Sequence, residues 1–122
     1  MQLSNSSLTQ IDLRGVQAAL ASPSAFTLLE ALPVPYHRAG HLPGALPIPH
    51  GDALREVAPR LIPTLASPVI VYCASATCEN SREAAERLVS YGYTQVFVFE
   101  GGKAEWTAAG LPLETSDGGG AS

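Results

Sequence analysis

The two cysteines of the chain, Cys73 and Cys78, stand five positions apart. Two are too few for a disulfide scaffold, and in a reducing compartment such a pair is more often reactive or metal-binding than structural. Metal is the weaker of those two readings, because no second Cys/His pair at ligand spacing completes a structural zinc set. A phosphate-capturing loop of the Cys-five residues-Arg kind is excluded. Its arginine would fall at position 79, which is Glu79, and a carboxylate repels the oxyanion that a guanidinium would grip. What remains is thiol chemistry. Cys73 is either an inert buried thiol, as free cysteines commonly are, or a nucleophile acting as its thiolate. Cys78 is either a small loop residue or a resolving thiol for an oxidised Cys73; a disulfide needs the two Cα atoms within roughly 7 Å.

The elements around Cys73 favour the nucleophile. Phe26–Leu29, Val69–Tyr72 and Val96–Phe99 are short apolar runs, continuous rather than alternating, as parallel strands covered on both faces require. Ala45–Ile48, set among Pro43, Pro47 and Pro49, is at best a brief edge strand. Helix signals fall between these runs. Asp12 caps a helix over 13–21, and Asp52 caps another that stops before Pro59. Asn80 caps a helix over 81–91, with Glu83 completing a capping box and Gly92 ending it. Ala84, Ala85, Leu88 and Tyr91 form its inner face, with Arg82/Glu86 and Glu83/Arg87 paired outside. A last helix runs from about Lys103 to Ala109, before Gly110 and Pro112. Alternation of this kind means α/β: right-handed crossovers and an open parallel sheet with helices on both faces.

Cys73 is then the first residue beyond the 69–72 strand, at the carboxyl end where open α/β sheets bind ligands. The loop after it runs straight into the best-capped helix. A helix N-terminus favours thiolate over thiol, and its free amides can hold an anion. The small residues Ala74, Ser75, Ala76 and Thr77 let the loop curl closely around whatever Cys73 carries.

Composition closes off other classes. At 122 residues the chain suits one compact domain, and with 46% apolar and 15% charged residues it can bury a core. The net charge is −4 and Lys103 is the sole lysine, so no cationic stripe exists to neutralise a phosphate backbone; nucleic acid is not an expected partner. Apolar stretches of about five residues fall far short of the roughly 20 needed to cross a bilayer, and Met1–Gln10 lacks the features of a signal peptide. The expectation is a soluble, cytoplasmic protein with no membrane partner. The domain covers residues 8–114, and 1–7 and 115–122 are flexible tails.

Four segments together resemble a single rhodanese domain, the persulfide-forming sulfurtransferase fold, over roughly 8–114. They are Arg38-Ala39-Gly40-His41-Leu42-Pro43-Gly44-Ala45, the Val69–Cys73 run with its loop, Tyr91 to Gly102, and Ala104 to Pro112. The resemblance implies an open sheet of about five parallel strands. It makes Cys73 the sulfur acceptor, with Ala74, Ser75, Ala76, Thr77, Cys78, Glu79 and Asn80 wrapping a cradle of amides around it. It implies a small donor such as thiosulfate or a persulfide, a thiol (small or protein) or cyanide as acceptor, and no metal or organic cofactor. The alternative is a carrier or redox-sensing module that uses Cys73 and Cys78 without turnover. His41 is expected to bond backbone rather than act as a base, and Trp106 to pack the last helix down.

Three positions depart from the family pattern. Asn80 rather than Arg precedes Ser81, in a loop two residues longer than usual, with Arg82 following instead. Glu30-Ala31-Leu32 replaces an Asp-x-Arg, and Glu79 puts a carboxylate in the loop. Each change lowers the positive potential available to an anionic donor. A carboxylate about 6 Å from a dianion would depress kcat/KM by roughly ten- to a hundredfold.

Overall fold

The computed structural model describes residues 8–22 and 25–115; of the expected tails at 1–7 and 115–122, all but Thr115 lie outside them. Five parallel strands form one sheet in the order β1-β5-β4-β2-β3. They are β1 (Leu8–Gln10), β2 (Thr27–Glu30), β3 (Leu46–Pro47), β4 (Val69–Tyr72) and β5 (Val96–Phe99). The helices are α1 (Leu13–Leu20), α2 (Val34–Ala39), α3 (Leu54–Leu61), α4 (Asn80–Ser90) and α5 (Gly102–Ala108). This is the α/β architecture expected of continuous apolar strands: all four residues of β4 are buried.

Side chains alternate across the sheet and build a core on each face. On one face Leu29, Val69, Val71, Val96 and Val98 meet Leu54 and Ala58 of α3 and Ala84, Ala85 and Leu88 of α4. On the other, Leu28, Ile70, Tyr72 and Phe99 meet Val16 of α1 and Trp106 of α5. The alternation continues past the end of β4. Tyr72 belongs to the α1/α5 face, and Cys73 packs on the α3/α4 face.

Local signals held at some ends and failed at others. Asp12 caps α1 as expected, accepting a 2.9 Å bond from the Gly15 N–H. Asp52 caps nothing. A short 3-10 turn over Gly51–Ala53 leads into α3, and Asp52 instead meets Arg87 at 2.7 Å. α3 also runs through Pro59 rather than stopping before it. Pro59 is exposed, while Leu54, Ala58 and Ile62 anchor the segment to the core, so the missing N–H falls on the solvent side.

α4 starts at Asn80, one residue earlier than its capping signals suggest, and no side chain caps it. Glu83 faces His50 at 3.5 Å rather than closing a capping box. The expected i,i+4 pairs give way to Arg82–Glu100 at 2.6 Å and Arg87–Asp52; a pair within one helix contributes only about 0.2–0.5 kcal/mol, too little to resist a competing partner. Gly92, at φ +109, ends the helix as expected. Two elements carried weak signals: β1, three residues at the sheet edge, and α2, six residues with Pro33 as its N-cap and Pro35 in its first turn.

Candidate functional site

The site lies at the carboxyl end of β4, the strand held between β2 and β5. Two amides at the start of α5 hold the backbone there: Lys103 N–H donates to the Cys73 carbonyl at 3.0 Å and Ala104 N–H to that of Ala74 at 2.9 Å. This approach requires Gly102. Its φ is +57, and a Cβ at that position would overlap the Cys73 carbonyl oxygen.

The Cys73 side chain is fully buried against α4. Its Sγ lies 3.3 Å from the Cys78 carbonyl oxygen, 3.4 Å from Ser81 Oγ and 4.0 Å from the Ser75 carbonyl oxygen. A thiol can donate to either carbonyl. A thiolate can only accept, and its partners are the Ser81 hydroxyl and the Ser81 N–H at the start of α4. Burial pushes the Cys73 pKa up, and a hydrogen bond with the Cys78 side chain adds to the rise; the two Ser81 groups oppose both without overcoming them. The expectation that the helix N-terminus leaves Cys73 ionised is therefore corrected. Desolvation outweighs the helix terminus.

The loop residues are not equivalent. Ala74, Ala76, Thr77 and Glu79 are exposed, while Ser75, Cys78 and Asn80 are half-buried. A turn closed by Cys78 N–H to the Ser75 carbonyl at 3.0 Å directs both those carbonyls toward the sulfur. The amide that faces Cys73 comes from Ser81, just beyond the expected cradle of 74–80. Arg82 is turned to Glu100, and among the described residues Glu79 has no ion-pair partner. Cys73 and Cys78 are both free thiols.

A raised pKa has a kinetic signature. Alkylation follows the thiolate fraction, so in Cys78→Ser protein the rate of Cys73 with iodoacetamide should be below that of a free thiol at neutral pH. It should keep rising with pH beyond the usual thiol range near 8.5. Ser81→Ala, which removes the opposing hydroxyl, should move the profile further up. A profile levelling off below pH 8 would contradict this.

On the other face of the sheet the same strand ends hold a network that sequence reasoning missed. Glu30, the last residue of β2, is fully buried and pairs in register with Tyr72. Tyr72 Oη donates to Glu30 Oε1 at 2.5 Å and accepts from Leu42 N–H at 3.0 Å. Lys103 Nζ forms an ion pair with Glu30 Oε2 at 3.1 Å and donates to the Tyr36 carbonyl at 2.9 Å. Burial first, then the Glu30 carboxylate, keeps Tyr72 protonated well above the ordinary phenol range. The only available sign was the position of a carboxylate at the end of an apolar strand.

His41 plays the structural part expected of it. Its Nδ1–H donates to the His37 carbonyl at 2.7 Å, and its backbone bridges that of Glu114. The two imidazoles stack at 3.7 Å, and His37 Nε2–H reaches the Ala45 carbonyl at 2.7 Å. Trp106 is buried, with its indole N–H donating to the Pro112 carbonyl at 2.8 Å.

A strand-end thiol facing a helix N-terminus, in an open sheet of this order, has a counterpart among known families. The rhodanese-like domain matches residues 3–109 of the chain. The chain belongs to the rhodanese-like domain family. Solved structures agree with that membership. The Alr3790 protein from Anabaena sp. is 28% identical with a TM-score of 0.77, over 88% of this chain and 83% of that one. The thiosulfate sulfurtransferase from Pseudomonas aeruginosa is 26% identical with a TM-score of 0.73, over 88% of this chain but 20% of that one. A curated relative, the HTH-type transcriptional regulator Rv0324 of Mycobacterium tuberculosis, is 33% identical over 89 residues, 72% of this chain. This rhodanese-like chain spans 37% of that regulator's length. Among the described residues no helix is long and apolar enough to cross a membrane.

Proposed function

We propose that this rhodanese-like protein is a cytoplasmic sulfurtransferase in which Cys73 carries the sulfur. The observation that carries the reading is the Cys73 thiol at the end of the central strand, with the Ser81 hydroxyl and N–H directed at it. The Cys73 thiolate attacks the outer sulfur of a donor. With thiosulfate, the sulfur–sulfur bond of the donor breaks, sulfite leaves with its electron pair, and Cys73 becomes a persulfide. An acceptor thiolate or cyanide then attacks the outer sulfur and restores the Cys73 thiolate. Ser81 stabilises the charge on sulfur at the start and end of each half-reaction, while the backbone hold of α5 keeps Cys73 in place.

Reduced protein treated in turn with thiosulfate, 3-mercaptopyruvate and a small persulfide should gain a single sulfur by intact mass with at least one of them. A mass unchanged by all three would overturn the reading.

Glu79 bears on the donor. Its side chain is exposed, so water and salt screen it more strongly than a loop carboxylate turned to the sulfur would be. This exposure supports a smaller penalty than the decade or more expected of a carboxylate turned to the donor. Glu79→Gln should raise kcat/KM for thiosulfate by about two- to threefold at low ionic strength, with the gain vanishing at high salt. A tenfold gain would mean that Glu79 turns inward when the donor binds.

A second reading has its own support. Cys73 Sγ lies 3.3 Å from the carbonyl of Cys78, the other free thiol, and one relative is a transcriptional regulator. A sensing module would pass through a Cys73 sulfenic acid, which Cys78 displaces with loss of water to form a disulfide. Mild peroxide should then remove both free thiols, reversibly with dithiothreitol. Over-oxidised Cys73 beside free Cys78 would eliminate this reading.

A further inference from the structure

The two thiols of the loop share a neighbourhood and differ in access. Cys73 is fully buried, with the carbonyls of Ser75 and Cys78 turned to its sulfur. Cys78 is half-buried between exposed Thr77 and exposed Glu79, and its side chain packs against the buried cluster that contains Cys73. With its carbonyl oxygen 3.3 Å from Cys73 Sγ, standard bond lengths put the Cys78 Cα within roughly 5.7 Å of that sulfur. The outer sulfur of a Cys73 persulfide would lie about 2 Å beyond Sγ. Rotation of the two side chains can close the remaining gap.

That contrast sorts the two halves of the reaction. A donor such as thiosulfate or a small persulfide is a few atoms across and can enter as the Ser75–Cys78 turn gives way. The turn is held by one backbone bond of 3.0 Å and a Ser75–Thr77 hydroxyl contact of 3.1 Å. A cysteine on a folded acceptor projects only a short way from its own surface. Cys73 has no surface to offer it, whereas Cys78 sits among exposed residues.

We infer that Cys78 relays sulfur: it takes the outer sulfur from the Cys73 persulfide and presents it to the thiol of a protein acceptor. The inference rests on the sulfur-loading reading above and adds a second catalytic residue to the discharge step. Cys78 gives up its proton and attacks the outer sulfur of the protonated persulfide. The bond between that sulfur and Cys73 breaks, Cys73 departs with the electron pair, and it takes up the proton that Cys78 lost. The Ser81 hydroxyl, 3.4 Å from Cys73 Sγ, supports the charge as it returns there. One sulfur atom changes residue with no net oxidation. The acceptor thiolate then attacks the outer sulfur on Cys78 and leaves Cys78 reduced.

Protein carrying one added sulfur and freed of donor is discharged in parallel by cyanide, which is small enough to reach Cys73, and by reduced thioredoxin, a folded protein dithiol. The ratio of the two rates is the readout. Cys78→Ser and Cys78→Ala should each lower the thioredoxin rate relative to the cyanide rate at least tenfold. Peptide mapping after alkylation should find part of the added sulfur on Cys78 in the unmodified protein. A ratio within twofold of the unmodified protein in both variants, with Cys73 still loaded, overturns the relay and leaves the sulfurtransferase intact. Loaded protein that sheds sulfide and closes a Cys73–Cys78 disulfide also overturns the relay, as does loading lost in both variants but kept in the unmodified protein. Failure of the unmodified protein to take up sulfur overturns the two readings together.

Discussion

Cys73→Ser should lose sulfur loading altogether, and Cys78→Ser should keep it. A hydroxyl is essentially un-ionised at neutral pH and cannot attack a donor sulfur, so the loss should be complete within detection, at least three orders of magnitude. Ser is nearly isosteric with Cys, so the variant should fold. Cys78 is half-buried at the loop edge, and its side chain raises rather than lowers the Cys73 pKa. Its removal should leave loading intact and bring the alkylation profile of Cys73 slightly down in pH. Loading measured by intact mass on both variants decides the matter: retention in Cys73→Ser with loss in Cys78→Ser would exchange the two roles.

The second large effect concerns stability. Lys103→Met removes the partner of a fully buried carboxylate, whose Oε2 is left with no other partner. Breaking a buried ion pair from one side typically costs about 3–5 kcal/mol, and because Lys103 retains 16% exposure the lower end, about 3 kcal/mol, applies. Glu30→Gln combined with Lys103→Met removes both charges while leaving an acceptor for Tyr72, and should recover most of that loss. Urea unfolding of the two variants provides the comparison. A Lys103→Met protein within about 0.5 kcal/mol of the unmodified chain would show that the pair carries no stability.

The parts legible in the sequence were those whose signal is local and whose environment is uniform. β4 and β5 could be read because both faces of each strand are covered, which leaves apolar side chains at nearly every position. The place of Cys73 followed from the strand end alone. Capping was less legible: Glu83 and Asp52 each had a competing partner that only the folded chain supplies, and Asn80 became the first residue of α4 rather than its cap. The ionisation of Cys73 was misjudged for a related reason: the helix terminus is visible in the sequence, whereas the depth of burial that opposes it is not. The Glu30–Lys103 pair joins residues 73 positions apart. No periodicity reports such a contact, and neither residue type suggests burial.

The alternation at the end of β4 divides labour between two consecutive residues. Tyr72 turns to one side and is clamped through Glu30 to Lys103, whose own N–H holds the carbonyl of Cys73. Cys73 turns to the other side and meets only groups that can be exchanged without disturbing that clamp: a serine, two loop carbonyls and an apolar wall. Anchor and tool are thus mounted back to back on one strand. The long, small-residue loop can be retailored for a new sulfur compound while the sulfur itself keeps its address, because the fixture that sets the address is on the far side of the sheet.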